Sequence, residues 1–210
     1  MDIEIRKKRA RIFKELLRKS WHFIAGITFV VGYSMVTLYV SKEFTLYLLV
    51  GILLVIFLFE HFRIEHRPRL LRVVDILFRK KEFNRPSAMI SFVTAGILVF
   101  AVFEHWVAFT ALMMLTIGDS SSACIGQLFG EKKLRGKKTY VGTFTGLIAN
   151  LLTGAVLMWE YPIVFVPMTL VATFVELMTN KLDDNLTVPI ATAFTGYLIV
   201  TIFNISLTVS

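Results

Sequence analysis

Seven stretches of the chain stay apolar long enough to form helices on the scale of a bilayer: 22–40, 44–61, 88–103, 106–129, 141–159, 161–178 and 187–207. A helix of about 20 residues crosses the hydrocarbon layer, so the pattern predicts an all-α integral membrane protein of about seven spans. The fourth stretch departs from the others. "WVAFTALMMLTI" has no charge, yet it runs directly into "GDSSSACIGQLFG" at 118–130, which places an aspartate and three serines on the same helix. There is no internal repeat and no low-complexity linker. A charged segment of about twenty residues precedes the first apolar run, which ends at "YVSKEF" without a small-residue cleavage site; the N-terminus is therefore not expected to be a cleavable signal.

Polar residues between the spans set an orientation. Twenty-two of the 23 Lys and Arg residues fall in segments 1–21, 62–87, 131–140 and 179–186, and only Lys42 lies on the opposite side. Basic loops stay cytoplasmic, so the N-terminus is expected inside and the C-terminus outside. A missed span would scramble this division. The other connections hold Glu43, Glu104, His105 and Glu160 beside Trp106 and Trp159, a composition typical of the membrane interface. Any active site is therefore expected on the cytoplasmic side.

At 56% hydrophobic and 18% charged, the 210 residues read as one membrane-embedded domain, 1–210. The net charge of +8 fits loops facing a bilayer with anionic headgroups rather than nucleic acid. Residues 1–21 form a basic N-terminal helix, and segment 62–87 includes "RLLRVVDILF", 69–78, with Leu70, Val74, Leu77 and Phe78 on one helical face. Such basic amphipathic pieces lie in the interface. The single Cys124 allows no internal disulfide.

Ionisable residues inside spans are costly and mark function. Asp119, Glu176, Glu60 and His22 all fall near the cytoplasmic ends of their spans. On a helix, Asp119, Ser122, Ala123, Gly126 and Gly130 share a face that is acidic at its start and nearly bare beyond. Span five carries a matching row of Gly142, Gly146, Asn150 and Gly154, so the two faces are expected to pack together. Between them, "EKKLRGKKTYVGT" supplies Lys132, Lys133, Arg135, Lys137 and Lys138, cations suited to phosphate, with Thr139 and Thr143 at a helix N-terminus that favours anions. Asp183, Asp184 and Asn185 form a hard-oxygen set suited to Mg²⁺. Carboxylates for a hard metal, cations for phosphates and a groove facing lipid together fit phosphoryl or nucleotidyl transfer. There is no Walker-type or kinase-type glycine loop, and no zinc-ligand spacing.

In order, "GDSSSACIGQLFGEKK…GKKTYVGTFTG" resembles the signature of the integral-membrane CTP-using superfamily, and within it the polyprenol kinase family of dolichol, phytol and diacylglycerol kinases. The matching residues are Gly118, Asp119, Gly126, Phe129 and Gly130, then Lys138, Thr139, Gly142 and Thr143, then Glu176, Asp184, Asn185 and Pro189. "RKSWHFIAG", with Arg18, Lys19, His22 and Gly26, is similar to the family's opening. Thr139 and Thr143 stand where the family has serines, which keeps the hydroxyls, and Ser122-Ala123 inverts the family's order, so Ser122 is given no catalytic role. The resemblance implies transfer of the γ-phosphoryl of CTP to the hydroxyl of a long-chain lipid alcohol, with Mg²⁺ as cofactor. It implies Asp119 and Asp184 on the metal, joined by Asp183, with Glu176 as a further ligand or base. Gly118, Lys132, Lys133, Lys137, Lys138, Thr139, Gly142, Thr143 and Asn185 would bind the nucleotide and its phosphates. His22 and Glu60 would line the acceptor side.

Two rivals remain at this stage. A cytidylyltransferase would release pyrophosphate rather than CDP, although "KLDDNLTVP" lacks the basic, Asp-rich ending of that branch. An anion or lipid transporter would place its site near the midplane and often shows repeats. The identity of the alcohol, the choice between a prokaryotic plasma membrane and the endoplasmic reticulum, and the presence of a homodimer are open.

Overall fold

A computed structural model describes residues 2–66, 87–136, 138–179 and 183–207, with side chains from residue 12 onward. Seven helices follow in order: α1 Asp2–Tyr39, α2 Lys42–Glu65, α3 Ala88–Val102, α4 His105–Phe129, α5 Tyr140–Leu157, α6 Pro162–Met178 and α7 Asp184–Ile202. Five are long and apolar enough to span a membrane, while α3 and α6 are shorter apolar helices. The expected all-α membrane fold of seven helices is therefore present. The amphipathic segment 69–78 and Lys137 lie outside the described residues.

Helix α4 organises the bundle. It packs against α1, α3, α5, α6 and α7, and Val107, Ala108, Ala111, Leu112, Met114 and Leu115 along it are all buried. They meet Val164, Phe165, Met168 and Ala172 of α6 and Val99 and Phe100 of α3 in one core. By contrast, α2 packs only against α1 and α3 among the stronger helix pairs and exposes Leu54, Val55, Phe57 and Leu58. An exposed apolar face of that kind is what lipid contact requires.

Close helix approach follows the small residues. A Cβ at Gly26 of α1 would lie 2.6 Å from the Thr116 side chain of α4. A Cβ at Gly142 of α5 would lie 2.7 Å from the Ser122 carbonyl oxygen and 3.1 Å from the Gly126 Cα, both backbone atoms of α4. The two rows of small residues read from the sequence thus meet as a backbone-to-backbone seam.

Three local features differ from the sequence reading. The basic N-terminal segment and the first span form one continuous helix of 38 residues. The connection 131–140 contains a two-stranded antiparallel hairpin, β1 Lys133–Arg135 and β2 Lys138–Thr139; Gly136 adopts the left-handed conformation at its turn, φ 58°. Helix α7 begins at Asp184 rather than near residue 187, so Pro189 lies inside the helix. Lacking an N–H, it offers no helical donor to the Asn185 carbonyl.

Glu60 and Arg63 form a buried ion pair near the end of α2, 2% and 5% exposed. Arg63 donates to both Glu60 oxygens at 3.2 and 2.6 Å, and the Ser87 backbone N–H, at the start of α3, donates to Glu60 at 3.1 Å. This clamp ties α2 to α3 across segment 67–86. Glu60→Ala is expected to destabilise the fold by about 3–5 kcal/mol, because it removes the carboxylate from a buried ion pair; thermal unfolding in detergent measures it, and an unchanged midpoint would refute the clamp.

Candidate active site

One end of the bundle gathers the C-terminal half of α4, the β-hairpin, the N-terminus of α5, the C-terminus of α6 and the N-terminus of α7. The sequence explains each position. Thr139 caps α5, its Oγ1 accepting from the Gly142 N–H at 3.1 Å, and this starts the helix directly after the hairpin. Asp183 caps α7 in the same way, its Oδ1 accepting from the Asn185 N–H at 3.0 Å. The hairpin turns at Gly136 and returns Lys138 toward α6 and α7.

Lys138 is the hub. Its Nζ donates to the Glu176 backbone carbonyl and stands 3.4 Å from both Glu176 Oε1 and Asp184 Oδ2. Glu176 is 8% exposed, and the Ser122 hydroxyl donates to its Oε1 at 2.9 Å. Asp119 lies within electrostatic reach of Glu176 and of Asp184. It is also ion-paired through Oδ2 with Lys19 Nζ of α1, a lysine only 7% exposed. His22, one turn along α1 from Lys19, faces Asp119 and the Asn185 side chain and packs edge-on against Phe92 at 5.6 Å between ring centres. Asn185 is itself buried.

The structure thus brings together Asp119, Glu176, Asp184, Lys138, Asn185 and His22. Thr139, Gly142 and Gly118 belong to the same end, as capping and seam residues: a Cβ on Gly118 would enter the Asn150 side chain. Thr143 sits half-buried in the first turn of α5. Lys132 and Lys133 are exposed on the hairpin side, and Arg135 meets the Met178 sulfur. Asp183 uses one oxygen as a helix cap, and Glu60 sits in the α2–α3 clamp described above.

Three residues named in the sequence reading were given no role in the site. Lys19 lies within a motif that was recognised, and the Lys19–His22–Gly26 spacing of three and four could have flagged a single α1 face. Ser122 was set aside, yet it hydrogen-bonds the buried carboxylate. Asn150, 2% exposed, lies one helical turn from Gly146 on α5 and reaches Thr173 at 3.4 Å; the sequence placed it only in the packing row of span five. Ser122→Ala is expected to reduce any turnover by about fivefold, matching the roughly 1 kcal/mol of one hydrogen bond, with little change in thermal midpoint; steady-state rates beside an unfolding scan check this.

Three acidic side chains, Asp119, Glu176 and Asp184, and two lysines, Lys19 and Lys138, share low-dielectric surroundings where unpaired charge is expensive. Among the described residues, no three His, Cys, Asp or Glu side chains form a ready-made metal nest. The oxygens present are hard donors, and Mg²⁺ is commonly held by one or two carboxylates together with substrate phosphates. The donor set therefore fits a divalent ion that arrives on a polyphosphate.

The chain is also similar to known proteins. The chain is 27% identical over 221 residues to "Phytol kinase 1, chloroplastic" of Arabidopsis thaliana, covering 94% of this chain and 71% of that protein. The chain is thus similar to a phytol kinase along most of its length. It is also 28% identical over 124 residues to "Probable phytol kinase 2, chloroplastic" of Glycine max and to "Probable phytol kinase, chloroplastic" of Zea mays, each match covering 49% of this chain and 42% and 41% of those proteins. These matches are consistent with membership of the polyprenol and phytol kinase family. No protein-family model and no solved structure matches the chain.

Proposed function

We propose that this membrane protein is a CTP-dependent lipid kinase that transfers the γ-phosphoryl group to the hydroxyl of a long-chain alcohol at the cytoplasmic face of the membrane. A phytol-like acceptor is favoured by the names of its relatives, and polyprenol and diacylglycerol are the alternatives. The observation that carries the reading is Lys138, set against Glu176 and Asp184 at the end of the bundle where Asp119 also stands.

Phosphoryl transfer demands positioning and charge neutralisation more than covalent help. Lys138 would meet the phosphoryl oxygens, and the N-terminus of α5 behind Thr139 offers backbone donors for an anion. Exposed Lys132 and Lys133 would draw a nucleotide toward the site. Asp119 and Asp184 would hold the Mg²⁺ that comes with CTP; when bound, that ion neutralises charge on the phosphate oxygens. Glu176, bonded to Ser122 and Lys138, would keep Lys138 in place or accept the alcohol proton. His22 lies on the α1 side, where the head of a membrane-borne alcohol would enter beside apolar surface.

The test is a purified-protein assay with γ-labelled CTP or ATP, Mg²⁺ and a panel of lipid alcohols. The expected result is labelled lipid and released CDP with at least one prenyl-type alcohol. Failure to label any alcohol with either nucleotide would overturn the reading.

A further inference from the structure

The Lys19–Asp119 pair has no assigned task in the reaction, and its chemistry suggests one. Lys19 sits on α1, a hundred residues from Asp119 in the chain, and its ammonium contacts Asp119 Oδ2. The pair is well enclosed: the lysine side chain is 9% and the aspartate side chain 15% exposed. Gly26, two turns along the same face, lets α1 come so close to α4 that a Cβ there would strike Thr116. The lysine is therefore held at this depth by backbone approach, rather than by a flexible surface contact.

An enclosed ammonium needs an anionic partner. When a divalent ion occupies Asp119, the attraction that holds Lys19 there is cancelled, and the lysine must pair with a different anion. The one that arrives with the metal is the polyphosphate. We propose that Lys19 is an exchanging cation: it neutralises Asp119 before the metal–nucleotide arrives and then transfers to a phosphate oxygen of the bound nucleotide. Lys138 supplies the second cation from the opposite side of the cluster, on Glu176 and Asp184. The chain would thus grip the polyphosphate between α1 and the β-hairpin. This inference rests on the nucleotide-kinase reading above.

The exchange predicts opposite effects from the two halves of the pair, read without magnesium for Asp119 and with it for Lys19. Asp119→Asn removes the carboxylate that competes with phosphate for Lys19, so binding of radiolabelled CTP in EDTA should tighten by about threefold to tenfold. With Mg²⁺ present, where the exchange has taken place, Lys19→Met removes a charge-assisted phosphate contact, so CTP binding under that condition should weaken by about tenfold. Lys19→Arg should retain most of it. The double variant Lys19→Met/Asp119→Asn, which removes both halves of the ion pair, should fold with a near wild-type thermal midpoint and lose the magnesium-free gain of Asp119→Asn, binding CTP in EDTA about as the parent does. It therefore remains informative even if Lys19→Met alone is unstable. If Asp119→Asn weakens magnesium-free binding, if the folded double variant keeps the tightening shown by Asp119→Asn, or if Lys19→Met leaves binding with Mg²⁺ unchanged, Lys19 is only a structural partner of Asp119 and the exchange is wrong. Wild-type protein that binds neither CTP nor ATP, with or without Mg²⁺, overturns the kinase reading itself, and the exchange with it; wild-type binding with unchanged variants overturns the exchange alone.

Discussion

Lys138→Met is expected to lower phosphoryl transfer by about three orders of magnitude, the scale on which transition-state cations act in phosphoryl transfer. The ammonium meets the Glu176 carbonyl and stands 3.4 Å from both the Glu176 and Asp184 carboxylates. It is held from three sides, with its charge facing the site where developing negative charge would lie. Part of the loss could come from structure, because the substitution leaves Glu176 enclosed next to Asp184 without its cation. Two measurements separate the effects. Lys138→Met alone should show a lowered thermal midpoint. Lys138→Met combined with Glu176→Gln should recover much of that stability, since one buried negative charge is gone, while turnover stays near the floor. A folded Lys138→Met protein working within tenfold of wild type would show that this lysine does not touch the reacting phosphate.

Gly142→Leu should unfold or misassemble the bundle, with a destabilisation of about 3 kcal/mol or more, at the upper end of overpacking costs. The reason lies in what surrounds it. The first side-chain carbon alone would stand 2.7 Å from the Ser122 carbonyl oxygen and 3.1 Å from the Gly126 Cα. Both are backbone atoms of α4, so no rotamer change relieves the clash and the helices must separate. Separation would also pull Ser122 from Glu176, which it reaches at 2.9 Å, and shift the hairpin that carries Lys138. Turnover should therefore vanish even in the fraction that remains folded. Gly51→Leu is the matched control. Nothing lies within 4 Å of a Cβ there, on the apolar face of α2, and no change in midpoint is expected. Equal effects at the two glycines would refute the seam. Unfolding scans in detergent, read beside the labelling assay, decide the matter.

The membrane helices were legible because each span needs a long apolar run, and because the only polar residues it tolerates inside are few enough to stand out. Asp119 and Glu176 could be singled out for that reason, Asp184 as one of a hard-oxygen set beside a span, and their ordered motifs carry the resemblance to a family. The hairpin at 133–139 was not legible: its strands are two and three residues long, too short for any alternation, and its composition is that of a solvated basic loop. Neither was the long α1, since a basic segment and an apolar one read as separate pieces until a single helix joins them. The start of α7 at Asp184 depends on the Asp183 cap, whose side chain looked equally suited to a metal.

Composition and periodicity alone thus determined that the chain is a helical membrane protein, which residues are too polar to be there without a purpose, and which small residues face one another on α4 and α5. Those properties are local, set by the cost of exposing polar groups to lipid and by the 3.6-residue helical turn. Only the tertiary structure decided the pairing of charges. Lys19 could have met any carboxylate, and Lys138 any phosphate-facing surface; the close approach at Gly26, Gly126 and Gly142 brings α1 and α5 onto α4 at a depth where Lys19 reaches Asp119. The hairpin, turned at Gly136, carries Lys138 to Glu176 and Asp184. Pairing across a hundred residues depends on helix packing distances, which no single segment of sequence contains.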